Sequence, residues 1–251
     1  MYKRYTCLIA WLLFTCSVYA QSADSLVAMG MRLEQGRQEA KALQMYKAAL
    51  KIDSTDLKAL SRASILSMRA GNRQVSPELK AVYFDAAKEY ATNALKKDPD
   101  DKEANLAMAM ALQQLSLTAG AKQKAGYLKA VKTYTDKALL IDSAYGRAWY
   151  VQGNWNYQVS SLNFAEKAAT RLLFGRLPQA SMDQAIADYQ KCLRLDPSFI
   201  LNLYKLAGAY HAKGKDLKAI STLRQALRLR PVLQDDHKIQ DDCRKMIQSL
   251  E

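Results

Sequence analysis

Glycine and proline are scarce, at 10 and 5 in 251 residues, about half of their usual combined share of roughly 12%. A turn-rich β-sandwich or barrel needs such corners and is excluded. Histidine occurs twice, and two of the four cysteines, Cys7 and Cys16, fall in the first twenty residues. Cys-stapled and collagen-like classes are excluded with them. No apolar run reaches the roughly 20 residues that a bilayer-spanning helix needs. What is present is 49% hydrophobic residues and a net charge of +13. That is ample material for a core, and it excludes global disorder.

The chain opens with basic Met1-Tyr2-Lys3-Arg4, then an apolar run from Cys7 to Val18, then Val18-Tyr19-Ala20 before polar Gln21. This is the layout of a secretory signal peptide cleaved after Ala20. The expectation is a mature chain starting at Gln21, periplasmic or secreted. A lipoprotein anchored at Cys16 stays open as an alternative, although Phe14-Thr15 fits the small-residue requirement poorly. Lys3 and Arg4 leave with the signal, so the mature net charge falls from +13 to +11. Cys192 and Cys243 remain, in a compartment that permits disulfides. A bridge needs Cα atoms within about 7 Å. Nothing in the pattern suggests one, so the two read as small, partly buried residues on separate helices.

After residue 21 apolar residues recur at helical spacing, and one phrase repeats. It reads Ala49-Leu-Lys-Ile-Asp53-Ser54, Ala94-Leu-Lys-Lys-Asp98-Pro99 and Ala138-Leu-Leu-Ile-Asp142-Ser143, then Cys192-Leu-Arg-Leu-Asp196-Pro197 and Ala226-Leu-Arg-Leu-Arg230-Pro231. A small residue admits a neighbouring helix, an apolar pair faces the core, and Pro or Ser ends one helix and starts the next. The phrase resembles the end of a tetratricopeptide repeat. Leu206, Tyr210, Gly214, Ala219 and Ala226 hold that repeat's places in the last unit, and Gly30, Ala42, Tyr46 and Ala49 hold them in the first. The resemblance implies an all-α, right-handed solenoid of about five helical hairpins, with units at about 23–56, 57–101, 102–145, 146–199 and 200–231. The middle hairpins are elongated, with Ser76-Pro77 opening one long helix. Residues 160–174 add a helix whose face is Leu162, Ala165, Ala169, Leu172 and Leu173, ended by Gly175 and Pro178. Ser181 and Gln184 form a capping box for the next helix. Residues 232–251 form a helix capping the open end of the stack.

Residues 146–231 carry a denser pattern: Gly146-Arg-Ala-Trp149-Tyr150, Gly153-Asn-Trp155-Asn-Tyr157, Leu173-Phe174-Gly175, Pro178, Tyr189, Leu195-Asp196-Pro197 and Phe199. This resembles the regulator of microtubule dynamics family. Eukaryotic members are linked to microtubules and organelle membranes. A cleaved signal would place this chain where tubulin is absent, so exported bacterial relatives are the nearer comparison, and they imply protein binding. The family offers no catalytic residue to transfer.

No catalytic or metal constellation is legible. The histidines, His211 and His237, lie far apart, and HExxH, CxxC, GxSxG and phosphate-loop spacings are missing. Carboxylates read as solvated helix positions. The expectation is a non-enzyme without cofactor or metal. Binding would use the concave side, lined by the first helix of each pair. Repeat register places Val27, Met31, Ile65, Met68, Leu106 and Met110 in one half of that groove. Arg147, Tyr150, Asn154, Tyr157, Tyr204 and His211 fall in the other. Met adapts to irregular partners, and Tyr and Arg anchor interfaces. The alternative is that the long inserts fold back and fill the groove. Trp149 and Trp155 read as packing residues.

Unit five holds seven Lys/Arg against Asp216 alone. Lys213, Lys215, Lys218, Arg224 and Arg228 form a candidate basic face, with Lys218, Arg224 and Arg228 expected on or near one outer helical face. Such a face is either simply solvated or meets an acidic partner or anionic membrane surface. Nucleic acid is not expected, because aromatic and basic residues do not interleave.

Overall fold

The computed structural model describes residues 22–175 and 179–251. The expected signal, 1–20, and Pro178 lie outside the described residues. Among the described residues there are twelve α-helices and no strand. The first six are α1 (Ala23–Gln35), α2 (Glu39–Ile52), α3 (Leu57–Asn72), α4 (Pro77–Lys97), α5 (Lys102–Thr118) and α6 (Ala121–Ile141). Then come α7 (Gly146–Ser160), α8 (Phe164–Phe174), α9 (Met182–Leu195), α10 (Ile200–Ala212), α11 (Asp216–Arg228) and α12 (Asp236–Leu250). They pair as five hairpins: α1/α2, α3/α4, α5/α6, α7/α9 and α10/α11. The first helices α3, α5, α7 and α10 also touch in succession, which makes them the inner wall of an all-α solenoid.

Aspartate shapes the repeated phrase more than Pro or Ser does. Asp53, Asp98, Asp142 and Asp196 each stand at a helix C-terminus, their N–H groups donating to Ala49, Ala94, Ala138 and Cys192 carbonyls. Asp53, Asp98 and Asp142 then accept backbone N–H groups two residues on, at 2.8, 2.9 and 2.9 Å. These Asx turns reverse the chain without glycine. Asp56 and Asp101 cap the following helices, accepting from Ala59 N at 2.7 Å and Ala104 N at 2.6 Å. The hairpins therefore form with few glycines or prolines.

Elongation falls in the second helices. α4 and α6 run 21 residues each, against 14 in α2 and 13 in α11. Ser76 caps α4 with Pro77 in its first turn. α8 packs on α6 rather than inside its own hairpin. Its buried side differs from the expected one, because Leu172 is 82% exposed and Ala165 is exposed too. Asn163 and Glu166 form a reciprocal capping box that sets the helix phase. Glu166 then meets Lys124 Nζ at 2.5 Å, and Lys129 Nζ reaches the Leu173 carbonyl at 3.1 Å. Thr170 and Glu166 thus turn inward beside Leu162, Ala169 and Leu173, the members of the expected face that stay covered. The capping box expected at Ser181 forms only in half. Ser181 Oγ accepts Gln184 N, but the Gln184 side chain donates to the buried Asp188 carboxylate.

Small residues decide how closely each hairpin closes. A Cβ added at Gly153 would lie 2.7 Å from the ring of Tyr189, which is fully buried. Gly153→Ala should therefore destabilise by about 1–3 kcal/mol. Gly126→Ala, mid-helix in α6 with open space around it, should stabilise by about 0.5–1 kcal/mol. Urea midpoints of the two variants test the pair, and equal shifts would refute the close-approach argument. Cys192 and Cys243 are free and buried on α9 and α12. Burial pushes their thiols up, to about 12 and about 11.

Candidate functional site

The inner wall bounds a groove of two adjoining cavities. The first, about 360 Å³, lies between α3, α5, α7, the start of α10 and the approach to α12. The second, about 630 Å³, runs along α10 past α5, α7 and α12. Asn72, Gln113, Gln114, Tyr150 and Leu201 border both, so the groove is continuous. α8 contributes to neither, so the largest insert leaves the groove open.

Of the sequence-selected residues, Ile65, Met68, Leu106, Met110 and Arg147 line the first cavity. Asn154, Tyr157, Tyr204 and His211 line the second, and Tyr150 borders both. Met31 lines neither. Its helix packs on α2 at the end of the stack, and the side chain is left 41% exposed on a face that no later hairpin covers. Val27 is buried in the core that the first hairpin shares with α3. Ile65, Met68, Leu106 and Tyr150 are buried and form the floor, whereas Met110, Arg147, Tyr157 and Tyr204 are half-buried walls.

Packing and hydrogen bonds preset much of this wall. Tyr150 stacks edge-on to Phe199 with centroids 4.9 Å apart, and burial pushes its phenol up to about 12. Arg147 donates from Nε to Asp196 Oδ2 at 2.7 Å and lays its guanidinium 3.5 Å from the Phe199 ring centre. Tyr189 OH donates to Asn154 Oδ1 at 2.7 Å, Asn154 Nδ2 to Gln113 Oε1 at 3.1 Å, and Gln113 Nε2 to the Val151 carbonyl at 3.3 Å. Trp149 and Trp155 are packing residues, donating to the Ser143 and Leu128 carbonyls.

Two features lie beyond the expectations from the sequence. The first is an ionic spine on α3. Arg62 bonds Glu34 and, at 3.1 Å, Glu103; Arg69 bonds Glu39 Oε1 at 2.7 Å. Burial pulls the Arg69 pKa down, and Glu39 opposes that. The expectation that carboxylates are solvated fails at Glu39, Asp188 and Asp236, which are 3%, 2% and 1% exposed. They are buried because arginine, amide or backbone donors meet them. Arg62 and Arg69, two turns apart on the groove face, were the signal available.

The second feature is ring closure. The segment before α12 does more than cap the open end. Asp235 accepts from Arg73 Nε at 2.8 Å, Gln234 Oε1 accepts Glu39 N at 3.0 Å, and Arg37 meets His237 at 3.3 Å. Asp236 Oδ2 holds the bend by accepting Val232 N and Leu233 N, both at 2.7 Å. The fifth hairpin's exit thus returns to the first two hairpins, and Leu233 and Ile239 wall the first cavity.

The basic residues of unit five divide. Lys213 pairs with Asp183 at 2.9 Å and Arg224 with Glu251 at 2.8 Å. Lys218 turns to the Tyr210 ring, 5.9 Å from its centre. Lys218, Arg224 and Arg228 are all exposed on the outer side of α11, spread over about 120° of its surface.

A ring of helical hairpins with an open, preset inner wall defines a tetratricopeptide-type repeat protein. The chain belongs to the family described as regulator of microtubule dynamics protein 1-3, whose model matches residues 23–251. The match extends well beyond the C-terminal part in which the resemblance is legible by eye. Regulator of microtubule dynamics protein 3 of Mus musculus is 28% identical over 168 residues, 66% of this chain and 36% of that protein. Regulator of microtubule dynamics protein 1 of Caenorhabditis elegans is 23% identical over 178 residues, 69% and 77% of the two. The chain thus spans between about a third and two-fifths of the length of the first vertebrate relatives it matches. A thermophilic tetratricopeptide protein of Thermus thermophilus superposes with a TM-score of 0.66 at 17% identity, over 90% of this chain and all of that one. A tetratricopeptide repeat protein of Parabacteroides merdae gives 0.52 at 15% identity, over 93% and 80%. The likeness to these solved structures shows the fold.

Proposed function

We propose that the chain is an exported, non-catalytic scaffold that binds a protein or peptide segment along its concave face. The observation that carries this reading is the continuous groove across α3, α5, α7 and α10, whose walls are fixed by internal hydrogen bonds before any ligand arrives. A preset wall lowers the ordering cost of binding. Export rests on the N-terminal pattern alone; among the described residues no helix is long and apolar enough to cross a membrane. Regulation of microtubules, the activity named for the relatives, is not part of this proposal.

The test uses the full chain, tagged at its C-terminus and purified from its own cells after cross-linking. The product should begin at Gln21 and carry a cross-linked protein. Tyr157→Ala with Tyr204→Ala should lose that partner while the far-UV spectrum and urea midpoint hold, since both side chains are half-buried wall residues. An unchanged partner would refute the groove assignment, and a product retaining Met1 would refute cleavage. A second reading, peripheral contact of unit five with an anionic surface, is favoured by Lys215 and Arg228, which make no ion pair among the described residues. Capture lost by about 0.3 M salt, and untouched by the tyrosine variants, would favour it.

A further inference from the structure

The two cavities differ in charge. In the first, every arginine is matched: Arg62 by Glu34 and Glu103, Arg69 by Glu39 and Arg147 by Asp196. Asp235 and Asp236 add carboxylates to the same walls. The second cavity has no Asp or Glu among its lining residues. It contains Lys205, which makes no ion pair or hydrogen bond with any described residue; its ammonium stands 6.0 Å from the neighbouring Tyr204 ring centre. His211, the other basic group there, is occupied by Asp216 at 2.7 Å. The same lining carries donors without an internal acceptor among the described residues: the Gln114 and Gln158 amides and the Tyr157 and Tyr204 hydroxyls. The cavity walls partly desolvate Lys205 and lower its pKa, while the side chain stays open to solvent.

We propose that the second cavity seats an acidic side chain of the bound peptide, its carboxylate paired with Lys205 and its backbone read by the surrounding amides and phenols. This rests on the groove reading above and goes further by naming the chemistry of the ligand. A cation in a cavity without carboxylates attracts an anion, and partial desolvation strengthens the pair. The occupant is a residue within a passing chain rather than a terminal carboxylate. Leu201 and Tyr204 on one side of Lys205, and Gly208 and Ala212 on the other, line the cavity along α10, so Lys205 is not at a blind end. The amides and tyrosines of the lining offer partners for peptide backbone, and Leu117, Leu201 and Met246 give it an apolar side.

The probe is a phage library of short random peptides, selected on the full chain and on Lys205→Glu and Lys205→Met. Lys205 is an exposed residue, so both variants should fold, as circular dichroism and the urea midpoint will show. Wild-type selection should enrich Asp or Glu at one position. Peptides so enriched should bind Lys205→Met about 10- to 100-fold more weakly, the worth of one hydrogen-bonded charge. Lys205→Glu should select Lys or Arg at that position instead. Peptides that need Tyr157 and Tyr204 yet show no acidic preference, with unchanged selection on Lys205→Glu, would overturn the carboxylate site and leave the groove reading standing. No peptide selected on any form would overturn both. Lys205-dependent capture of mixed phosphatidylcholine and phosphatidylserine vesicles, without acidic peptides, would replace the peptide by a lipid headgroup and also overturn the proposal.

Discussion

Trp155→Ala should lower stability by about 3–5 kcal/mol. Trp155 is 2% exposed and stands on α7, where it fills the junction between the third and fourth hairpins. Its Nε1 donates to the Leu128 carbonyl of α6 at 2.7 Å, and Lys132 Nζ lies 5.6 Å from its ring centre. Truncation opens a cavity at the seam and removes the donor at once. A solenoid is held by the interfaces between neighbouring repeats, so a seam defect should also uncouple the two halves. The urea transition of the variant is expected to broaden or split in addition to shifting. Trp155→Phe keeps most of the apolar volume and loses the hydrogen bond, and it should cost about 1–3 kcal/mol with the transition still single. A Trp155→Ala transition as sharp as wild type, at the wild-type midpoint, would show that the seam is held elsewhere.

Trp155 shows which parts of the molecule could be read in advance. Its packing role was legible because the repeat register is local: a small residue, an apolar pair and a stop recur, and hairpins follow from short-range geometry. The groove residues from Ile65 to His211 were legible for the same reason, since register assigns a face to each first helix. Register fails where neighbours are missing. Met31 has the right position on α1, but no hairpin lies beyond it to build a wall. Register also cannot tell wall from floor. Tyr150 stands on the groove face, yet Phe199 and Tyr189 close over it and leave it 8% exposed. A Tyr150→Ala variant would therefore test the core rather than the groove, which is why Tyr157 and Tyr204 carry the binding test.

The features that escaped are non-local. Arg73 meets Asp235 across 162 positions, and Glu39 N meets Gln234 across 195. No helical period or motif spacing connects such residues; only the curvature of the assembled stack does. The same holds for α8, whose phase depends on the Asn163 cap and on lysines of α6 rather than on its own apolar residues. The buried carboxylates were misread for one reason. A charge on a helix looks solvated until its partner arrives from another hairpin.

Glu39 is the sharpest case, and Glu39→Ala should cost about 3–5 kcal/mol. The carboxylate is 3% exposed and accepts from Arg69 at 2.7 Å and from Arg73, while Gln234 holds its backbone N–H. It ties α2 to α3, and through Arg73 and Asp235 it ties both to the segment before α12. Without it Arg69, already desolvated, keeps a charge with no acid beside it. The loss therefore reflects an orphaned cation more than a lost attraction, and a compensating change can prove it. Glu39→Leu combined with Arg69→Met removes both charges and fills similar volume, so the double variant should recover most of the stability. Arg73→Ala should cost only about 1 kcal/mol, because that side chain is 23% exposed and Arg69 still pairs with Glu39. Amide exchange across 231–237 should rise in Glu39→Ala and Arg73→Ala alike, since both loosen the closure of the ring. A double variant no more stable than Glu39→Ala would mean that the ion pair is itself net stabilising, and that the ring is closed by charge rather than by the packing of Leu233 and Ile239.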